Sequence, residues 1–467
     1  MVEARVVERL RVFLQDLKPE ARNLLIAELE RSLLRGDETP GAELVLQELR
    51  RSMRESSRPA PRGGSLSRLF FQPLEPFLVD DSPSRQYPGR VSRLTLDPIW
   101  QWISRDLVPG EAKSVSESVA RAYAADDPEE AERLARVFQG RVLIRLKETL
   151  AAVGDDEKLR RKLIAQIATP HAIEDITAIR DVIGARETLL SLSRRLQGHI
   201  ANLSDSQLDL VKAVLDNIKF ADASVFAYAL VLVMSRLAAP WQLIRLATRD
   251  ARSDQAARIA ETRYASAIAI VLGEMQRAVN ELRSELKSGQ GVATGAQLKA
   301  IHDAARGLRT EVDLSESEWG RQLASLRTEI SDLLKGVIEA TPGRVRRLLR
   351  PRSDKDIASG MKIDAGEVRE IEGAIEFVGT CRGYAAELAV SEVTQRAYSD
   401  LQHFLETATQ TLIDGLRNAD DSTRQFRRAQ CEAAIAFCGK VFGADYAAVL
   451  AKAADVAMNG ERKAARA

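Results

Sequence analysis

The side chains able to do chemistry fall into four groups, and each has a spacing that can be weighed. Acidic pairs recur as Asp80-Asp81, Asp126-Asp127 with Glu129-Glu130, Asp155-Asp156 and Asp420-Asp421. Two aspartate-rich motifs on facing helices are able to hold Mg²⁺ above an apolar cavity. Here each pair adjoins Pro, Gly, Ser or Asn at an expected helix start, where carboxylates cap free N–H groups and meet the positive end of the helix dipole. The acids therefore read as caps.

His171 and Glu174 lie three apart on one helical turn, with Asp175 beside them. A carboxylate-bridged dimetal bundle needs two Glu-x-x-His motifs and two further glutamates, and this chain offers one pair in the reverse order. Only four histidines exist, His171, His199, His302 and His403, so structural or surface roles are expected. Cys431 and Cys438 are seven apart, on one helix face among Ala433, Ala434 and Phe437, and read as small buried hydrophobes. Zinc would need further Cys or His at ligand spacing. The three cysteines, Cys381 included, are an odd number and all late in the chain, which argues against a disulfide framework. No nucleophile elbow, phosphate-binding loop or dinucleotide fingerprint is present. No catalytic residue, cofactor or metal is expected.

The fourth group is basic. Arg344, Arg346, Arg347, Arg350 and Arg352 crowd together, with Val345, Leu348 and Leu349 between them. On a short helix this is a surface for anionic lipid head groups or phosphates, and each basic residue near an anionic membrane contributes about 1 kcal/mol. The competing assignment pairs these arginines with Asp354, Asp356, Glu367 and Glu370. The cluster contains no aromatic residue, so nucleic acid is not an expected partner. A weaker basic face, Arg5, Arg9 and Arg11, surrounds the stripe Val6, Leu10 and Phe13.

Ile268, Leu272, Met275, Val279, Leu282 and Leu286 repeat at heptad spacing. So do Leu298, Ile301, Ala305, Leu308, Val312, Ser315, Trp319, Leu323, Leu326, Ile330, Leu333 and Val337, with Ser315 as the polar exception. A Gly-rich turn, Ser288 to Gly295, joins them. Steps averaging 3.5 predict an antiparallel, coiled-coil-like hairpin of about 50–60 Å. Its seam is able to serve within one chain or in self-association.

Around this arm the sequence divides into five stretches. Residues 1–56 read as a three-helix unit. Residues 57–98 hold seven of the fifteen prolines, a density that no helix is expected to survive. Yet Leu69, Phe70, Phe71, Leu74, Phe77 and Leu78 make this connector too apolar for an ordinary linker. Ser56 to Gly64 reads as mobile, and Leu66 to Pro98 as extended chain lying on a helical body or awaiting a protein partner. Residues 99–240 read as a central helical domain, with breaks at Pro109-Gly110, Asp126-Asp127-Pro128, Gly154-Asp155-Asp156, Thr169-Pro170 and Asn202–Ser206. The apolar run Ala223–Met234 should be its buried helix. Residues 241–342 form the hairpin region, and Thr341-Pro342-Gly343 should break the chain. Residues 343–467 supply long helices, one from about Asp364 towards Gly415 and one from Asp421-Ser422 to about Met458, which complete an elongated bundle.

The fold class is therefore all-α. With Lys+Arg 68 against Asp+Glu 67 and aromatics at 5%, no global field draws the chain to nucleic acid or membrane. No signal core opens it, and the longest apolar run falls short of the roughly twenty residues a membrane span needs. A soluble, cytoplasmic protein is expected. The functional expectation is a non-enzymatic scaffold or adaptor that engages an unidentified protein partner through the connector. The alternative is a peripheral membrane protein that meets an anionic surface through Arg344–Arg352.

Overall fold

Local signals in the sequence set most helix boundaries. In the computed structural model, residues 64–82, 86–196, 198–220, 223–288, 294–358 and 361–464 are described, together with Leu25, Leu29 and Val45. Those three are helical, but the three-helix unit expected over 1–56 otherwise lies outside the described residues, as does most of the Gly-rich turn. The fold is all-α: 80% of the described residues are helical, in 18 helices, with almost no strand among them.

Helix α1 spans Leu66–Phe71 and is capped by Ser65, whose Oγ accepts from the Arg68 N–H. A 3₁₀ turn, Gln72–Phe77, leads into β1 (Leu78–Val79), which pairs in parallel with β2 (Val91–Ser92). Then come α2 (Leu96–Trp102), α3 (Pro109–Ala124) and α4 (Pro128–Asp155). The last two open on proline, whose missing N–H costs nothing in a first turn. Asp156 caps α5 (Glu157–Ile167) through the N–H groups of Lys158 (2.7 Å) and Leu159 (3.3 Å). Helices α6 (Ala172–Gly184) and α7 (Arg186–Arg195) follow. A Ser204/Gln207 capping box starts α8 (Asp205–Asp216). The apolar run forms α9 (Ala223–Met234), and α10 (Ile244–Ala251) and α11 (Ala256–Ala260) are short. The arm comprises α12 (Ser266–Ser288), α13 (Thr294–Glu311) and α14 (Glu318–Leu348). The chain continues in α15 (Ala365–Gly383), α16 (Ser391–Arg417), α17 (Arg424–Phe442) and α18 (Ala444–Ala464).

The chain divides into two compact units, one of residues up to Gln72 with Ile103–Val142, the other of Pro73–Trp102 with Leu143–Ala467. In the first, Phe70 is fully buried and meets Phe138 edge-on, with ring centroids 5.9 Å apart. Buried Gln139 donates its Nε2 to the carbonyls of Leu69 (3.2 Å) and Phe70 (2.8 Å), so the last carbonyls of α1 are satisfied.

In the second unit, α9 is buried along nearly all its length, from Val225 to Met234. The connector is one of its covers. Phe77 stacks edge-on against Tyr228 at 5.1 Å. At Gly89 the backbone turns through φ +69°, and a Cβ there would lie 2.7 Å from Val231 Cγ2 and 3.1 Å from the Ala227 carbonyl oxygen. Farther on, α14, α15, α16 and α17 share a core around Val345, Leu349, Ile371, Ile375, Leu401 and Phe437.

Several expectations need correction. The connector is not simply extended: α1, the 3₁₀ turn and α2 form because its prolines fall outside α1, within a 3₁₀ turn, or in the first turn of α2. The second arm is two helices. Val312–Ser317 reverses the chain, with Asp313 accepting from the Ser315 N–H (3.1 Å), Glu316 at φ +56° and Ser317 capping α14 through Gly320 (3.0 Å). In α14 the buried positions Leu323, Leu326, Ile330, Leu334 and Ile338 drift off the heptad, and Leu333 and Val337 are only half-buried. This is ordinary helix packing at a period near 3.6. Pro342 does not break α14. It is buried with Ile338, Thr341 and Val345, and that burial offsets the roughly 3 kcal/mol an internal proline costs. The two long C-terminal helices are each split, at Tyr384–Val390 with Ala389 at φ +56°, and at Gly443, whose φ of +98° suits glycine.

Gly89→Ala should destabilise the fold by on the order of 2–4 kcal/mol, combining a left-handed backbone with overpacking against Val231. Gly373→Ala, in the interior of α15 with nothing within 4 Å of its Cβ, should stabilise by about 0.5–1 kcal/mol. Urea unfolding of the two variants beside the parent checks both signs.

Candidate functional site

Of the six apolar connector residues, Leu69, Phe70, Phe71, Leu74 and Phe77 are buried and Leu78 is half-buried. Those from Pro73 onward are locked onto the second unit by polar contacts as well. The Tyr87 hydroxyl donates to Asp81 (2.7 Å) and accepts from buried Asn280 of α12 (2.7 Å). Arg90 pairs with Glu274 of α12 at 2.7 Å and donates to the Pro76 carbonyl at 3.1 Å. Ser92 donates to the Asp81 carbonyl at 2.6 Å. The Asp80-Asp81 pair thus closes the connector instead of capping a helix, Asp80 pairing with Arg93 at 3.0 Å. Asp127, Asp156 and Asp420 each accept from backbone N–H groups of the following turn.

The arm's seam is filled within one chain: Ile268, Leu272, Met275, Val279 and Leu282 are buried, as are Leu298, Ile301, Ala305 and Leu308. Gln297 of α13 donates to Glu285 of α12 at 2.8 Å, which brings the two helix ends together.

The arginine cluster separates into tied and untied members. Arg344 pairs with Glu370 (2.9 Å) and Arg346 with Asp400 (3.4 Å), both at the surface, where such pairs contribute little. Arg352 lies over the Phe426 ring at 5.6 Å and meets Met361 Sδ at 3.4 Å. Arg347 and Arg350 are exposed and have no ionic partner among the described residues.

The surface also shows what the sequence reading passed over. Helix α18 has two apolar stripes. Leu450, Ala454, Ala457 and Met458 pack inward with Ile413, Leu416 and Cys431. Tyr446, Val449 and Val456 face outward at 40%, 66% and 70% exposure, with exposed Ala453 completing steps of three and four. The signal lay in an Ala-rich helix whose apolar residues occupy more than one face.

The remaining candidates are structural. His171 precedes α6, with Glu174 in its first turn. Among the described residues no group of three or more His, Cys, Asp or Glu side chains gathers as metal ligands. All three cysteines are buried and unbridged, and burial pushes the Cys431 thiol up to about 11. An open cleft of about 530 Å³ is lined by Asp205, Arg245, Thr248, Arg249, Arg252 and Glu311. Its charges answer one another: Arg245 meets Asp205 at 3.0 Å and Glu311 at 3.9 Å, and Arg249 meets Asp209 at 2.8 Å.

Asp175 is the buried acid with the most consequence for stability. It is 6% exposed, and its Oδ2 has no hydrogen-bond partner among the described residues. Burial raises its carboxyl from 3.8 to about 6, against smaller opposing pulls from His171 and the Thr95 hydroxyl. A folded-state pKa above the unfolded value means folding favours the protonated acid. That contribution is complete below about pH 3.8 and is lost as pH rises through about 6. Asp175→Asn should remove the loss and raise stability at pH 8 by on the order of 3 kcal/mol, with little gain at pH 4. Denaturant midpoints at pH 4, 6 and 8 test this.

Set against known protein families, curated proteins and solved structures, the chain matches none.

Proposed function

We propose that this protein is a non-enzymatic helical scaffold that works through protein–protein contact, with α18 as the docking helix. The observation that carries the reading is the outward stripe of Tyr446, Val449 and Val456 on a helix whose adjoining face is already packed. Steps of three and four fit another helix, and exposed Ala453 within the stripe lets a partner backbone come close. The exposed rim carries Asp445, Lys452 and Asp455. The occupant of this face is an amphipathic helix of a partner protein, with basic residues opposite the two aspartates and an acid opposite Lys452. Leu69, Phe70, Phe71, Leu74 and Phe77 of the connector are buried in the protein's own cores, so we assign docking to α18 instead.

A second reading has its own observation. Arg347 and Arg350 are exposed without an ionic partner among the described residues, which favours a peripheral association with an anionic surface. No helix among the described residues is long and apolar enough to cross a membrane.

The test is a paired capture with amine cross-linking from the native host, using the parent and Val449→Glu/Val456→Glu. The scaffold reading expects a stoichiometric protein cross-linked at Lys452 to the parent and depleted at least tenfold with the variant. The same set of proteins recovered by both would overturn it, provided both chains melt at the same temperature.

A further inference from the structure

The C-terminal end of α14 is fastened from inside the second unit. Gln430 of α17, 2% exposed, donates its Nε2 to the carbonyls of Leu348 (3.1 Å) and Arg350 (3.0 Å). Arg427 donates to the Arg352 carbonyl (3.4 Å) and pairs with Asp354. Its guanidinium passes so close to α16 that a Cβ at Gly415 would lie 2.7 Å from Nη1. Three backbone carbonyls of one short segment are therefore drawn inward, onto α17. The Arg347, Arg350 and Arg352 side chains are left on the outside, all exposed.

The acids that follow in sequence are already engaged. Asp354 belongs to Arg427, and Asp356 accepts from the Ser353 hydroxyl at 2.7 Å. Arg352 is braced by the Phe426 ring, and Leu349 anchors the segment in the core shared by α14–α17. A fixed backbone removes part of the ordering cost that flexible basic tails incur on binding. Guanidinium groups favour phosphate oxygens, which they meet with paired N–H donors. Spread along six residues and exposed, the three arginines suit a surface carrying many phosphates better than one enclosed phosphate. The Phe426 ring lies under Arg352, so no aromatic of this segment is offered for stacking a base.

We propose that Arg347, Arg350 and Arg352 form a pre-set edge that docks on the phosphate groups of an anionic phospholipid surface. The inference rests on the peripheral-membrane reading and assigns it to three named side chains, with Gln430 and Arg427 as positioning residues.

The test is co-sedimentation of the full chain with phosphatidylcholine vesicles containing about a third phosphatidylglycerol, at low and at physiological salt. The parent should bind, and more weakly at the higher salt. Arg347→Ala/Arg350→Ala should lose about 30-fold in partition coefficient. A charge-matched control, Arg396→Ala/Arg417→Ala, removes two exposed arginines that already hold ion pairs, and should stay within threefold of the parent. Equal melting temperatures exclude misfolding as the cause.

Failure of the parent to sediment overturns the peripheral-membrane reading as a whole. Sedimentation of the parent and of Arg347→Ala/Arg350→Ala alike overturns only the assignment to this edge. Equal losses in both double variants would show net charge at work and also overturn it. Inorganic phosphate should release the protein no better than chloride at matched ionic strength. Selective release by phosphate, or tighter binding to a DNA duplex than to the vesicles, contradicts the lipid source.

Discussion

A helix with no polar face has to be covered on every side, and α9 imposes that condition on the second unit. From Val225 to Met234 every residue but Ala227 is buried. Its covers come from distant parts of the sequence. Phe226 packs edge-on against Tyr264 at 4.9 Å, just ahead of α12, and the Tyr264 hydroxyl donates to Asp216 at the end of α8 (2.7 Å). Phe77 and the Gly89 turn also pack directly against it. The Pro-rich composition of the connector follows from this task. A chain that must follow the surface of a helix closely, bend, and still satisfy its own carbonyls is better served by short turns and prolines than by a continuous helix.

The same logic separates surfaces that are finished from surfaces that are not. Connector, arm seam and polar cleft are each satisfied by the chain's own groups: Asn280 by Tyr87, Glu274 by Arg90, Asp205 and Glu311 by Arg245. Among the described residues, the α18 stripe and the arginine edge beyond α14 face outward. Both belong to the C-terminal helices, and both have a second side rooted in a core. An apolar or basic group whose helix is already fixed meets a partner at lower entropic cost than one on a loose segment.

Fold class was legible because helix periodicity and capping are local. Pro109-Gly110, Asp126-Asp127-Pro128 and Asp155-Asp156 each mark a helix start where one occurs, and the break expected at Asn202–Ser206 holds the start of α8. The errors came where tertiary packing overrules a local rule. Pro342 stays within a helix because its neighbours are buried, and Leu334 displaces Leu333 from the seam because α14 packs in a bundle, not against one partner. Gly443 was readable as a break, but the helical pattern on both sides concealed it. The candidate surfaces were less legible. Glu370, which Arg344 meets, is among the acids the sequence offers. That Arg346 finds Asp400, while Arg347 and Arg350 find no acid among the described residues, is a matter of tertiary packing that no spacing rule gives. The outward stripe of α18 required knowing which of its apolar faces the core had taken.

Residues 73–102 are part of the core around α9 and not a loose connector. Amide hydrogen exchange read by mass spectrometry tests it most directly. The account predicts that peptides covering Val91 to Trp102 exchange as slowly as α9 and α12, and speed up together with them as urea is added. Exchange of those connector amides within seconds, while α9 and α12 stay protected, would contradict it.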